Sequence, residues 1–341
     1  MELVDHTPFA TLAFESLSPD EQPFQVVAVR GTFDFLPGAV ARPSSDQKAV
    51  VAADEYFGEP GKSSLRNAND LAPFKPDADI IINATAYATG GRPRTEWPVE
   101  IQIGRLKKRL VVTGPRYWRH SVLEGWGLSP VEACEEVPLR YERAYGGQWK
   151  HETNGGVSEY NPIGAGFINP KFLSRNEQIS APQLLPLNCQ PPRLGQPGKP
   201  EGLGAMAPAW LPRRGFAGTY GAAWERDRAP RVPEDFKFDF YNAAHPDLIY
   251  DGYLQGGEEV SLLGLHRNGR LGFTLPQFQI GIVVTDKAGF RYASMANLDT
   301  LQIDVDEMRV ALVWRAATPI FEDGVEHLEI KMRTADGRTY G

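Results

Sequence analysis

The stretch Phe24-Gln25-Val26-Val27-Ala28-Val29-Arg30-Gly31-Thr32-Phe33-Asp34-Phe35 is a run of mostly β-branched and aromatic residues that ends at Pro37-Gly38. Apolar, β-branched runs bounded by turn residues read as strands. Moving outward, the same pattern returns at 80–88, 99–103 and 110–113, which reads as a meander with Gly90-Gly91 and residues 104–109 as its turns. Toward the C-terminus it recurs at 260–263, 271–275, 279–285, 298–305, 308–314 and 327–332, and Asn268-Gly269 between two of these runs is a hairpin signal. Helices have little support. Short turns are expected at 129–133 and 234–241, where Pro233 can open a helix. The expected fold is therefore all-β or nearly so, with antiparallel sheets of sandwich or meander type and well under about a fifth of the residues helical.

The chain divides by composition into three parts. Residues 1–147 and 234–341 are β-rich halves, and 148–233 is crowded with Gly, Pro, Asn and aromatics. Trp149, Phe167, Phe172, Trp210, Phe216, Tyr220 and Trp224 lie in that middle part. Disordered linkers are poor in aromatics, so it reads as irregular structure pinned to the β core.

Composition narrows the function. At 341 residues, 42% hydrophobic and 23% charged, the chain has the make-up of a globular protein with a sizeable core. The net charge is -7, and the longest basic run, Lys107-Lys108-Arg109, reads as part of a turn. A nucleic-acid binder needs a basic stripe for its phosphate contacts. The two cysteines, Cys134 and Cys189, have no metal-ligand spacing and read as reduced thiols. Met1-Glu2-Leu3-Val4-Asp5-His6 lacks the features of a signal peptide, and apolar runs such as Ile80-Ile81-Ile82 are too short to span a membrane. The expected location is the cytoplasm.

Motifs for chemistry start and then fail. Gly61-Lys62-Ser63 resembles the end of a phosphate loop, but Tyr56 stands where that loop needs a small residue. Gly164-Ala165-Gly166 and Gly202-Leu203-Gly204 lack the rest of a dinucleotide fingerprint. His327-Leu328-Glu329 has no PCxxC partner, the six histidines never fall at HxxH or HExxH spacing, and no GxSxG elbow is present. Asp304, Asp306 and Glu307 form an acidic cluster whose separation in space would distinguish a glycosidase pair or a calcium site from a solvated turn. No cofactor and no metal are expected.

The segment Pro138-Leu139-Arg140-Tyr141-Glu142-Arg143-Ala144-Tyr145-Gly146-Gly147 reads as a strand with Leu139, Tyr141, Arg143 and Tyr145 on one face and Arg140, Glu142 and Ala144 on the other. An arginine on an apolar face needs a carboxylate or carbonyl partner, so ion pairing that braces the Gly-Gly turn is expected, with part of Arg140, Glu142 or Arg143 buried in a charge-assisted network. The alternative role for Arg140 or Arg143 is oxyanion binding.

With this segment stand Ser63-Ser64-Leu65, the run from Asp70-Leu71-Ala72-Pro73 through Phe74-Lys75-Pro76 to Asp77-Ala78-Asp79, Ala86-Tyr87-Ala88 with Gly90-Gly91, Trp97 and Val99, and Asn161-Pro162-Ile163-Gly164-Ala165-Gly166-Phe167. Gly218-Thr219-Tyr220 with Trp224, Pro233-Glu234-Asp235-Phe236 leading to Tyr241-Asn242-Ala243-Ala244, and Gly256-Gly257-Glu258-Glu259-Val260 follow in order. From about residue 23 to 275 these blocks resemble a bacterial family first catalogued as a domain of unknown function, whose members are regarded as type VI secretion effector adaptors or chaperones. The resemblance implies a non-enzymatic protein that binds a toxic effector and hands it to the spike or spike-tip protein. It implies no catalytic residues.

Trp210, Tyr220 and Trp224 are the partner-contact candidates, since large aromatics are favoured at interfaces. Their other reading is as anchors of the irregular segment to the core. Two rival functions stand beside the adaptor: a sheet-built carbohydrate-active enzyme, and a structural baseplate or tail component.

Overall fold

Residues 23–34 become the longest strand because both faces of that run are covered. The computed structural model describes residues 1–18, 22–152, 154–320, 324–334 and 339–340. In chain order its main elements are β1 (Glu2–Asp5), β2 (Ala10–Leu17), β3 (Pro23–Asp34), β4 (Ala78–Asn83), β5 (Glu96–Ile103), β6 (Leu106–Thr113), β7 (Leu184–Pro186) and the short helix α1 (Ala222–Asp227). Then come β8 (Glu259–His266), β9 (Gly269–Thr274), β10 (Phe278–Asp286), β11 (Arg291–Met295), β12 (Asn297–Asp304), β13 (Arg309–Pro319) and β14 (Val325–Thr334). Strands hold 46% of the chain and helices 7%, so the fold is all-β as expected.

A seven-stranded sheet runs β2-β3-β13-β12-β4 to the two-residue strand Ile249–Tyr250, with Arg42–Pro43 added beside β3. A five-stranded sheet runs β7-β6-β5-β8-β9, and a second one joins β1, β14, β10 and β11, with Thr339–Tyr340 against β14. Most pairs are antiparallel; β12–β4 and β1–β14 are parallel. Val27, Val29 and Phe33 of β3 face the shared core, where Phe9, Phe33, Phe278 and Trp314 pack ring on ring at 5.3–6.5 Å between centroids. Phe35 stacks on Phe273 of β9 at 4.1 Å, which joins the second sheet to the first. These rings bury large apolar area in offset or edge-on geometries, the arrangement that aromatic quadrupoles favour.

The other face of β3 carries Val26, Ala28, Arg30 and Thr32, and it is buried as well. The segment that follows β3 folds back across it, with Ser44 bonding Thr32 through the main chain and Asp70 reaching Arg30. A sheet covered on both sides reads in sequence as a continuous rather than an alternating apolar run.

Several local expectations are corrected. The run 80–88 does not open a meander with 99–103. It breaks at Ala84: β4, buried along its whole length, lies parallel to β12, while Thr85–Tyr87 pairs with Glu136–Pro138. The turn expected over 104–109 is only Gly104-Arg105, and Lys107, Lys108 and Arg109 lie within β6, where alternation turns Lys108 inward. Residues 129–133 form no turn, whereas Phe238–Tyr241 makes a 3-10 turn inside the expected 234–241. The Asn268-Gly269 hairpin is present, linking β8 to β9.

The two β-rich halves share their sheets. The seven-stranded sheet draws β2, β3 and β4 from one and β12 and β13 from the other, and β5 pairs with β8 across the same divide. The middle segment contributes Leu184, Leu203, Met206 and Trp210 to the common core.

Candidate functional site

The strand expected over 138–147 is not formed. Tyr141–Arg143 turns as a 3-10 helix, which breaks period-two alternation at Arg140. Leu139, Tyr141 and Tyr145 are buried as their apolar character requires, but Arg143 is exposed and donates from Nη1 to Gln183 Oε1 at 3.0 Å. Arg140 lies over the Phe57 ring at 3.4 Å, a cation–π contact. Glu142 accepts from the Ser64 amide at 2.9 Å and from the Ser64 hydroxyl. Glu142 thus forms charge-assisted bonds as expected, while a cation–π contact and a bond to a side-chain amide stand where ion pairing of the two arginines was expected.

Tyr141 donates to Gly204 O at 3.1 Å, Tyr145 donates to Gln196 O, and Asn161 Nδ2 donates to the carbonyls of Tyr141 and Tyr145. A Cβ on Gly146 would fall 2.2 Å from Asn161 O, and φ there is +150°, so only glycine fits. The run 70–79 serves a similar purpose. Arg30 pairs with Asp70 at 3.0 Å, Lys75 with Asp79 at 2.7 Å, and Arg315 with Asp299 at 2.6 Å, all buried. Asp79 also accepts from Asn242 Nδ2 and from the amides of Ala243 and Ala244. Lys75, Asp79 and the Arg140 neighbourhood are therefore framework: the sequence blocks hold one another.

The three aromatic candidates separate. Trp210 is 7% exposed and meets Tyr141 edge-on at 5.4 Å, which makes it an anchor of the middle segment. Tyr220 is 55% exposed and packs on half-buried Trp224 at 4.7 Å. Trp224, on α1, donates its indole N–H to Arg231 O at 2.7 Å, which fixes the ring. Beside them Phe236, Phe238, Phe240 and Tyr241 form ring contacts of 5.6–6.2 Å, and Phe74 closes on Phe238 at 5.4 Å. Tyr220 lies close enough to Tyr241 to help burial raise the Tyr241 phenol above its ordinary pKa. None of these seven rings is fully buried or belongs to the core clusters. The sequence signal for the part that was missed is the alternation of Phe236, Phe238 and Phe240.

A cleft with a volume of about 470 Å³ lies on the outer face of the seven-stranded sheet. Arg30 and Gln302 line its floor; Glu55, Arg66, Asp304 and Glu307 line its sides. Arg66 is shared by Asp304 at 3.4 Å and Glu307 at 2.5 Å. Burial and then the Glu307 carboxylate push the Asp304 carboxyl above its usual range. Asp306, by contrast, turns to Thr85.

Glu201, His245 and Asp247 come within metal-ligand reach of one another, but the Lys108 ammonium sits among them, 2.5 Å from Glu201, 2.9 Å from His245 Nδ1 and 3.1 Å from Asp247. The cluster carries its cation on a side chain.

Residues 20–315 match the model of the DUF2169 family, described as an uncharacterized protein conserved in bacteria, and the chain belongs to that family. The match reaches further toward the C-terminus than the blocks that suggested a family, which end near residue 275. No curated protein and no solved structure matches the chain. No described helix is long and apolar enough to cross a membrane.

Proposed function

For this member of the family, we propose a non-enzymatic adaptor that works in the cytoplasm, binds a type VI secretion effector and assists its loading onto the spike or spike-tip protein. The observation that carries the reading is the partly exposed aromatic surface of Phe74, Tyr220, Trp224, Phe236, Phe238, Phe240 and Tyr241, in which Tyr220 and Trp224 of the irregular middle segment stand beside rings from the turns that flank it, on a rigid β framework. Loops on rigid scaffolds carry recognition, and clustered aromatics supply contact area at low entropic cost. The test is capture of the effector and spike encoded beside this gene by the purified full chain. Combined Tyr220→Ala and Trp224→Ala should abolish capture with the circular dichroism spectrum unchanged. Failure of the unmodified chain to hold either partner overturns the proposal.

A second reading, a carbohydrate hydrolase, is favoured by one observation. The raised Asp304 carboxyl and Glu307 share one cleft on the outer face of the seven-stranded sheet, as an acid and its companion carboxylate would. Glycan hydrolysis abolished by Asp304→Asn would move the assignment there.

A further inference from the structure

The seven-stranded sheet ends on one side in Ile249–Tyr250 and on the other in β2, a full-length strand of eight residues with β3 as its single strand neighbour among the described residues. Natural edge strands are blunted by lysine, proline, bulges or shortness, because a free edge templates pairing. β2, Ala-Thr-Leu-Ala-Phe-Glu-Ser-Leu, carries one charge, Glu15, and none of those devices, and its register with β3 is unbroken.

Two observations fix which of its main-chain groups are free. Gln25 Nε2 donates to both Phe14 O at 2.9 Å and Val26 O at 3.1 Å. One amide can serve both carbonyls only if both point into the gap between the strands, so Phe14 and Val26 form a hydrogen-bonded pair. Leu17 faces Pro23, which has no N–H, and so sits at a non-bonded position of the same alternation. Thr11, Ala13, Glu15 and Leu17 therefore turn their N–H and C=O groups outward, and no described main chain accepts or donates there.

We propose that this edge is the interface of a symmetric dimer, in which β2 of a second copy of this chain pairs antiparallel to the first about a two-fold axis at Phe14. The sequence is self-complementary in that register. Phe14 faces its own copy, Ala13 faces Glu15, Leu12 faces Ser16 and Thr11 faces Leu17. All four outward residues then exchange both main-chain bonds. An axis at Ala13 leaves Leu17 unpaired, and an axis at Glu15 sets the two carboxylates against each other, which like-charge cross-strand pairing disfavours. On the outer face the half-buried Leu12 and Phe14 gain an aromatic and aliphatic neighbour, and on the opposite face Leu17, 63% exposed, is covered by Thr11 of the second copy. The union makes one continuous sheet through both subunits, an isologous contact that closes on itself.

The inference goes beyond the adaptor reading and does not need it. Sedimentation velocity of the full chain should give twice the chain mass. Ala13→Pro removes an outward N–H and leaves the bonds to β3 intact, so it should yield a monomer with an unchanged circular dichroism spectrum. Phe14→Cys in a Cys189→Ser background should cross-link two chains under mild oxidation, because a non-hydrogen-bonded pair sets Cα atoms about 4.5 Å apart, within disulfide reach. A wild-type chain that stays monomeric at every concentration overturns the proposal, as does a dimer that survives Ala13→Pro or a Phe14→Cys chain that never cross-links. Amides of Thr11, Ala13, Glu15 and Leu17 protected from exchange only on adding the neighbouring effector would assign the edge to a partner strand instead.

Discussion

Glu142 illustrates what a single side chain does in this framework. Its two carboxylate oxygens take the Ser64 amide and hydroxyl, and the same hydroxyl accepts from the Tyr141 amide at 2.8 Å. Glu142→Ala strands those donors, and charge-assisted hydrogen bonds of this kind are each worth about 1.5–3 kcal/mol, so a loss of that order is expected in urea denaturation. His245 gives a pH dependence. Its Nε2 lies 3.3 Å from Pro200 O, and its Nδ1 faces the Lys108 ammonium and the Asp247 amide. Burial and then Lys108 hold the imidazole below its ordinary pKa. The folded state thus binds fewer protons than the unfolded chain once pH falls below about 6.5, and stability drops with acidification from there toward the lower folded-state value. His245→Gln keeps an acceptor and a donor and should flatten the melting temperature over that window in a pH series. An unchanged profile would remove His245 as the cause.

The elements differ in how plainly the sequence announced them. β3, β8, β9, β10, β12, β13 and β14 were legible because apolar residues recur in them with strand composition between turn residues. β2 and β11 were not: Ala, Ser and Thr soften the pattern in β2, and Arg291-Tyr292-Ala293-Ser294-Met295 buries no side chain fully. The arginine-bearing segment 138–147 misled because Leu139, Tyr141 and Tyr145 fall at even spacing and are buried, as in a strand, while the backbone between them turns as a 3-10 helix at Tyr141–Arg143. At the candidate site, Tyr220 and Trp224 were visible as aromatics, but their distinction from Trp210 depends on depth, which no local pattern encodes. That distinction is measurable. Trp210→Ala empties a buried site and should cost about 3–5 kcal/mol, whereas Tyr220→Ala removes a half-exposed ring and should leave the melting temperature near wild type. Equal losses would mean the aromatic surface is part of the framework.

At the scale of the molecule, the main sheets are assembled from strands far apart in the chain. β3 bonds to β13, β4 to β12 and β5 to β8, and β1 lies against β14. Pairing across such separations is invisible to periodicity, which is why three compositional parts could be read but not their interlocking. The consequence is cooperativity. Removing 234–341 deprives β3 of β13, β4 of β12 and β5 of β8, and uncovers Val27, Val29, Phe33 and Ile101. Three edges would be exposed at once, with no compensating core. A fragment of residues 1–147 should therefore be unfolded or aggregated, and the full chain should melt in one transition with calorimetric and van't Hoff enthalpies that agree. A soluble fragment with a strand spectrum and a sharp melt of its own would show instead that the N-terminal half folds before its partners arrive, and the shared sheets would then be a docking of two preformed halves.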